Sequence, residues 1–147
     1  MLMKIIDDRL TPNMLMPQNE GDAGIDLYAC TPNAIRIFPG EVLKIPTGIK
    51  TAIPKGYVGL MFPRSGSGSK GLHLANVVGV IDSVYRGEIL MKMTNNGDDS
   101  RLMQVNPLDR IAQLVVVPHF DYSKMVFTND ELPESNRGEN GFGSTGD

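Results

Sequence analysis

Residues 76–88, NVVGVIDSVYRGE, run through apolar positions straight to one carboxylate, Asp82, and then turn through Tyr85 and Gly87. A carboxylate with apolar neighbours suits a general base, because partial desolvation raises its basicity. Tyr85 has two readings. It is a packed aromatic, or it is a flat wall against a sugar ring where an added hydroxyl would clash. EILMKMT follows directly, so the stretch predicts a β-hairpin.

Residues 63–72, PRSGSGSKGL, alternate serine and glycine between Arg64 and Lys70. Such a stretch is a flexible loop. It is also a workable phosphate cradle, with backbone N–H groups, the Ser65 hydroxyl and two cationic flanks converging on one anion. The spacing is not that of a Walker A loop. Lys70 suits loop closure and phosphate contact equally. In AGIDLYA, residues 23–29, Asp26 sits among apolar neighbours. It is a hydrogen-bonded residue at a strand boundary, or a carboxylate aimed at a hydrated metal. In DRIAQL, residues 109–114, Arg110 and Gln113 are an odd step apart, which on a regular strand puts them on opposite faces. Arg110 then makes a structural ion pair and Gln113 is left to enter a site.

The chain closes on RGENGFGSTGD, residues 137–147. Glycine this dense argues against a packed element and reads as a frayed tail. The same stretch holds donors, in Arg137, Ser144, Thr145 and the glycine N–H groups, and a stacking face in Phe142. Donors plus a plate fit a nucleotide, with phosphates at one end and a base at the other.

These stretches need a scaffold. Pro and Gly punctuate the chain at Pro32, Pro39, Gly40, Pro46, Gly48, Pro54, Gly56 and Pro63. The runs between them, AIRIF, EVLKI, IKTAI and VGLMF, are too short for helices and rich in strand formers. LHLANVV, EILMKMT and RIAQLVVV follow. In EILMKMT, Ile89, Met91 and Met93 share one face and Lys92 and Thr94 the other. Helix candidates are a turn near Ser65 to Lys70 and a weak one at 128–132. The expected fold is all-β, a distorted jelly-roll-like barrel or sandwich with a flexible C-terminal arm. Residues 1–127 form the body, the polar stretch 128–136 a linker, and 137–147 the arm.

Composition narrows the function. The 147 residues suit one domain, and 41% hydrophobic residues support a core. The net charge is −3, with no basic run, which excludes a broad electrostatic stripe for nucleic acid. No apolar run approaches the ~20 residues of a membrane span. A single cysteine, Cys30, excludes an intrachain disulfide and fits a reducing compartment, so a cytoplasmic location is expected, or host-cell cytoplasm for a virus-encoded chain. The nine methionines read as core filling. His73, His119 and Cys30 make no zinc-deaminase signature.

In order and spacing, AGIDLYA, PRSGSGSKGL, GVIDSVYRGE, DRIAQL and RGENGFGSTG resemble the five motifs of the homotrimeric dUTPases, the dUTP diphosphatases. The resemblance runs from Ala23 to Gly146. One departure is Leu108, where the family often has glycine, which alters a turn rather than a reacting side chain. The resemblance implies hydrolysis of dUTP to dUMP and pyrophosphate, limiting uracil incorporation into DNA and supplying dUMP for dTTP synthesis. It implies Asp82 as the base for a water attacking the α-phosphorus, with Asn76, Gly79, Tyr85 and Phe142 around uracil and deoxyribose. Arg64, Ser65, Gly66, Gln113, Arg137, Ser144, Thr145 and Gly146 would hold phosphates, and Asp26 would hold Mg²⁺ through water. It also implies a homotrimer with shared sites, each closed by a neighbour's arm. A dCTP deaminase on the same fold would need a catalytic Glu and a different hairpin. A nucleotide-responsive regulatory module is the reading from a different class.

Overall fold

A computed structural model gives the fold, with residues 1–97 and 102–139 described. The described residues form ten strands: β1 Leu2–Ile5, β2 Gly24–Tyr28, β3 Ile35–Ile37, β4 Val42–Ala52, β5 Tyr57–Pro63, β6 Leu72–Leu74, β7 Gly79–Ile81, β8 Glu88–Asn95, β9 Met103–Val105 and β10 Arg110–Pro118. A four-residue helix, α1 (Ser65–Gly68), and 3-10 turns at Pro12–Leu15 and Tyr122–Lys124 complete the described elements. One sheet has the order β1-β4-β8-β6 and the other β2-β10-β5-β7, with a β3-β9 ribbon beside them. All named strand pairs are antiparallel. This is the all-β, jelly-roll-like sandwich expected.

Alternation drives the core. Ile89, Met91 and Met93 of β8 are fully buried, while Leu90 and Lys92 face out. They meet Ile45 and Ile49 of β4 and, from the second sheet, Leu27, Met61 and Leu114 in one cluster. Thr94 departs from the pattern: it lies on the outer parity but is buried, flanked by Val42 and His73 in register. Met61, Met91, Met93 and Met103 fill the core and Met3 and Met14 pack against it, whereas Met1, Met16 and Met125 are exposed. Core filling therefore accounts for most of the methionines and not for all. Cys30 is buried, and burial together with the Asp7 carboxylate pushes its thiol up to about 12. It is an unreactive packing residue.

Three expectations are corrected. EVLKI and IKTAI are one strand, β4, carried past Pro46 by a register shift between Pro46 and Lys50. A bulge is where a sheet tolerates proline. At the bulge Gly48 takes φ +68, and a Cβ there would come within 2.6 Å of Asp7 Cβ. The helix suggested at 128–132 is absent. A 3-10 turn forms upstream at Tyr122–Lys124, where the Asp121 carboxylate accepts from Ser123 N–H. The hairpin expected from residues 76–94 does not form: β7 pairs with β5 and β8 with β4 and β6, in different sheets. Residues 82–87 cross from one sheet to the other, a connection natural to a sandwich.

Leu108 takes φ +65. It is the third residue of the turn Asn106-Pro107-Leu108-Asp109, closed by Asp109 N–H donating to Asn106 O at 3.1 Å. Proline second and a left-handed residue third is the type II pattern, whose third position favours glycine. Leucine is held there because its side chain packs against the core and its N–H donates to Ala29 O at 2.8 Å. The left-handed conformation costs a residue with a Cβ about 1–2 kcal/mol. Leu108→Ala loses the packing and keeps that cost, so Leu108→Gly is expected to be the more stable variant by about 1 kcal/mol in urea denaturation. Alanine equal to or better than glycine would show an unstrained turn.

Candidate active site

The short α1 follows directly from β5. Arg64 precedes it in extended conformation, and its carbonyl accepts from Ser67 and Gly68 N–H at 3.0 and 2.9 Å. The N–H groups of Ser65 and Gly66, in the first turn, have no acceptor among the described residues. Both residues are exposed, and a Cβ at Gly66 would meet nothing within 4 Å.

Asp26 sits in the middle of β2, opposite Gln113 of β10. Its Oδ1 pairs with Arg64 Nε at 2.7 Å and its Oδ2 with Arg110 Nη1 at 3.1 Å. The carboxylate is largely buried and the two guanidiniums are partly exposed. Arg64 Nη1 also reaches the Arg110 carbonyl at 3.5 Å, and Gln113 Nε2 donates to Pro63 O at 3.3 Å. Asp26, Arg64, Ser65, Arg110 and Gln113 line one cleft of about 460 Å³, with Gly24 and Gln18. Asp26 is thus a bonded residue, as its structural reading has it, but it lies in mid-strand rather than at the strand boundary expected.

The opposite-face expectation for Arg110 and Gln113 fails. The β2–β10 register shifts between Arg110 and Ala112, and Ile111 and Ala112 are buried side by side. That bulge changes the phase of the strand, so both polar side chains reach the same cleft. Sequence reasoning therefore missed Arg110 as a cleft residue; two adjacent apolar positions after an arginine were the available signal. Lys70 does not line this cleft. It lines a neighbouring hollow of about 530 Å³ with Arg64, Gly66 and Ser67.

The second group of residues lies on β7 and the turn after it. Asn76 begins a tight turn in which Val78 N–H donates to Asn76 O at 2.6 Å and Asn76 Nδ2 donates to Val78 O at 3.2 Å. Val77, between them, takes φ +63, a γ-turn form that is rare and strained. Gly79 lies flush on β5, where a Cβ would fall 2.7 Å from Met61 Cε. Tyr85 N–H donates to Asp82 O at 3.0 Å, and Tyr85 Oη donates to Glu88 O at 2.9 Å. Arg86 Nη1 donates to the Ser83 and Tyr85 carbonyls at 2.6 and 2.8 Å. Asp82 is exposed and its carboxylate has no partner among the described residues. The partial desolvation expected for it is therefore not supplied by this chain alone.

Asp82 is not brought to the Ser65 donors within one chain, although Gly79, paired with Met61, lies toward their end of β5. Ile81 pairs with Gly59 and Gly79 with Met61, so the chain reaches Asp82 beside the Tyr57 end of β5, whereas Ser65 follows its Pro63 end. Five strand steps from Val58 to Pro63 at about 3.3 Å each, with Arg64 and Ser65 beyond them, separate the two levels by roughly 20 Å. Arg137 is exposed in a turn near the end of the described residues. Phe142, Ser144, Thr145 and Gly146 lie outside them. No group of three or more His, Cys, Asp or Glu able to hold a metal occurs among the described residues. No described helix is long and apolar enough to cross a membrane.

The described residues thus combine an antiparallel jelly-roll-like sandwich with a guanidinium-lined cleft, beside N–H groups that have no acceptor among those residues. The family model for dUTPase matches residues 11–146. The chain is 45% identical, over 98% of its length and 95% of the relative's, to the deoxyuridine 5′-triphosphate nucleotidohydrolase of Nitrosospira multiformis. Its fold is similar to that of the Staphylococcus bacteriophage 80alpha dUTPase with dUPNHPP, at a TM-score of 0.84 and 27% identity, covering 99% of this chain and 97% of that one. It is also similar to the dUTPase of S. aureus phage phi11, described with a structural Mg(II) ion, at a TM-score of 0.71 and 26% identity over 92% and 95% of the two chains. The chain belongs to the dUTPase family, the dUTP diphosphatases.

Asp26→Asn removes the charge facing both guanidiniums. Because those groups are partly solvated, the loss of stability is expected to stay near 1 kcal/mol or below and to shrink in high salt. A loss of several kcal/mol in denaturant titration would show that the triad carries the fold rather than the cleft.

Proposed function

We propose that the chain hydrolyses the α–β phosphoanhydride of dUTP, giving dUMP and pyrophosphate, at sites built from more than one copy of the chain. The observation that carries this reading is the cleft in which Asp26 fixes Arg64 and Arg110 beside the free N–H groups of Ser65 and Gly66. Fixed donors of this kind stabilise charge that develops on a leaving pyrophosphate. Gln113 adds a neutral donor on the same side.

Asp82 accepts a proton from a water, whose oxygen attacks the α-phosphorus in line. The bond from that phosphorus to the α–β bridging oxygen breaks, and the electron pair leaves with pyrophosphate. The Ser65 hydroxyl and the Ser65 and Gly66 N–H groups hold that leaving group. Uracil lies against the Asn76–Gly79 turn, whose backbone groups read its edge with Asn76. A cytosine there would leave buried polar groups unpaired, and a C5 methyl group would clash. Tyr85 packs on the deoxyribose. Arg137, Ser144, Thr145 and Gly146 grip the γ-phosphate and Phe142 covers the base, with 128–136 as the linker and 137–147 as the closing arm.

The residues present fit Mg²⁺ only as an ion that arrives on the triphosphate. Both Asp26 oxygens already face guanidiniums, leaving their outer lone pairs for a metal-bound water. When bound, the ion would neutralise phosphate charge.

The separation along β5 supports shared sites, since a base roughly 20 Å from the leaving-group donors cannot act on the same phosphate. The C-terminal segment supports them too. Every described residue from Pro118 to Glu139 is exposed, including Val126 and Phe127 at 84% and 89%. Apolar side chains so uncovered call for a neighbouring surface. A closed threefold ring of identical copies satisfies both observations.

With dUTP, dCTP, dTTP and UTP offered in parallel with Mg²⁺, pyrophosphate is expected from dUTP and little from the others. Asp82→Asn is expected to lower turnover by at least about a hundredfold and still bind dUTP. Ammonia released from dCTP, or wild-type turnover by the variant, sinks the mechanism. Two inactive variants, Asp82→Asn and Ser65→Ala with Arg64→Ala, test the sharing. Co-refolded one to one, they are expected to regain activity, since about a quarter of randomly assembled intersubunit sites hold both intact halves. No recovery means that each site comes from one chain.

A further inference from the structure

Gly87 is required by a side chain and not by the backbone. Its φ lies outside the left-handed region, so its conformation makes no demand for glycine. A Cβ built there would fall 2.3 Å from Tyr85 Oη, 2.5 Å from Cζ and 3.0 Å from Cε2. The tyrosine ring is folded back against the main chain at Gly87, and its hydroxyl donates to the Glu88 carbonyl at 2.9 Å. Arg86 ties the same turn through the Ser83 and Tyr85 carbonyls. The glycines at 21, 40, 56 and 66 differ, since a Cβ at any of them would touch nothing.

We propose that Gly87 is a positioning residue for sugar discrimination. It is the space that lets Tyr85 lie flat on the main chain and sets the depth of the deoxyribose pocket. The inference rests on the reading of Tyr85 as the wall against the sugar. Tyr85 is 43% exposed, so a side chain at 87 can push the ring away without disturbing the core. The fold then tolerates the substitution and the penalty falls on Tyr85, whose hydrogen bond to Glu88 O breaks. With the ring displaced, a 2′-hydroxyl is no longer excluded.

The test is a double-mutant cycle read as the ratio of kcat/KM for dUTP to that for UTP. Gly87→Ala is expected to lower the ratio by about tenfold or more, with an unchanged melting temperature. In a Tyr85→Ala background it is expected to change nothing further. An unchanged ratio for Gly87→Ala, or an equal loss with and without the tyrosine, overturns the proposal. Tyr85→Ala that keeps the ratio removes the sugar-wall reading itself and this inference with it, whereas loss in Tyr85→Ala alone removes only the role of Gly87. Should Gly87→Ala misfold, Tyr85→Phe loses just the hydroxyl bonded to Glu88 O. A partial fall in the ratio is expected from it, and no fall overturns the proposal.

Discussion

The double ion pair of Asp26 is the interaction on which the cleft depends. One carboxylate joins three places in the chain: the middle of β2, the junction between β5 and α1, and the first residue of β10. Asp26 is the most buried of the three and the guanidiniums are the more solvated partners. That asymmetry suits a binding cleft better than a core. The carboxylate gives one oxygen to each arginine, which ties both guanidiniums to β2 and leaves each with further donors, since arginine has five N–H groups. A lysine at either position would keep the charge and present fewer donors, from a single nitrogen.

The anchor requires a fault in an otherwise regular strand. Were β10 regular, Arg110 and Gln113 would face opposite sides. The bulge at Ile111 restores them to one side, while Ile111 and Ala112 both stay in the core. The same device operates on β4, where the shift after Pro46 lets one long strand cross the sheet and places Gly48 N–H on Glu88 Oε1 at 2.8 Å. Irregularity in this fold sits where polar groups must be aimed.

Much of this was legible in the residues. Alternation in EILMKMT assigned its buried face, short runs between Pro and Gly announced an all-β sandwich, and the serine–glycine stretch marked a turn beside two cations. What was not legible was long-range. Nothing local tells EVLKI and IKTAI that they are one strand, because proline ends most strands and only the bulge partner rescues this one. Nothing local tells the segment after Ile81 to leave its sheet, since a turn followed by an alternating run has the same sequence whether the strands pair or cross a sandwich. The phase of Arg110 was likewise hidden, because period-two reasoning holds only while the ladder is regular.

Among the described residues, two with a Cβ hold left-handed backbone, Val77 and Leu108, and each lies just upstream of a strand that delivers site residues. Val77 precedes β7, which leads to Asp82, and Leu108 precedes β10, which carries Arg110 and Gln113. Strain of this kind costs about 1–3 kcal/mol and persists only where surroundings over-determine it. Both turns are over-determined by polar clamps. Asn76 closes on Val78 through its carbonyl and its amide, and the Asp109 carboxylate accepts from Asn106 N–H and Nδ2 at 2.7 and 3.2 Å. A relaxed turn at either place would let its strand slide or rotate, and a one-residue slip sends every side chain to the other face. The strained turns thus work as register stops. They give short strands, three residues in the case of β7, a defined phase that so few ladder bonds could not impose alone.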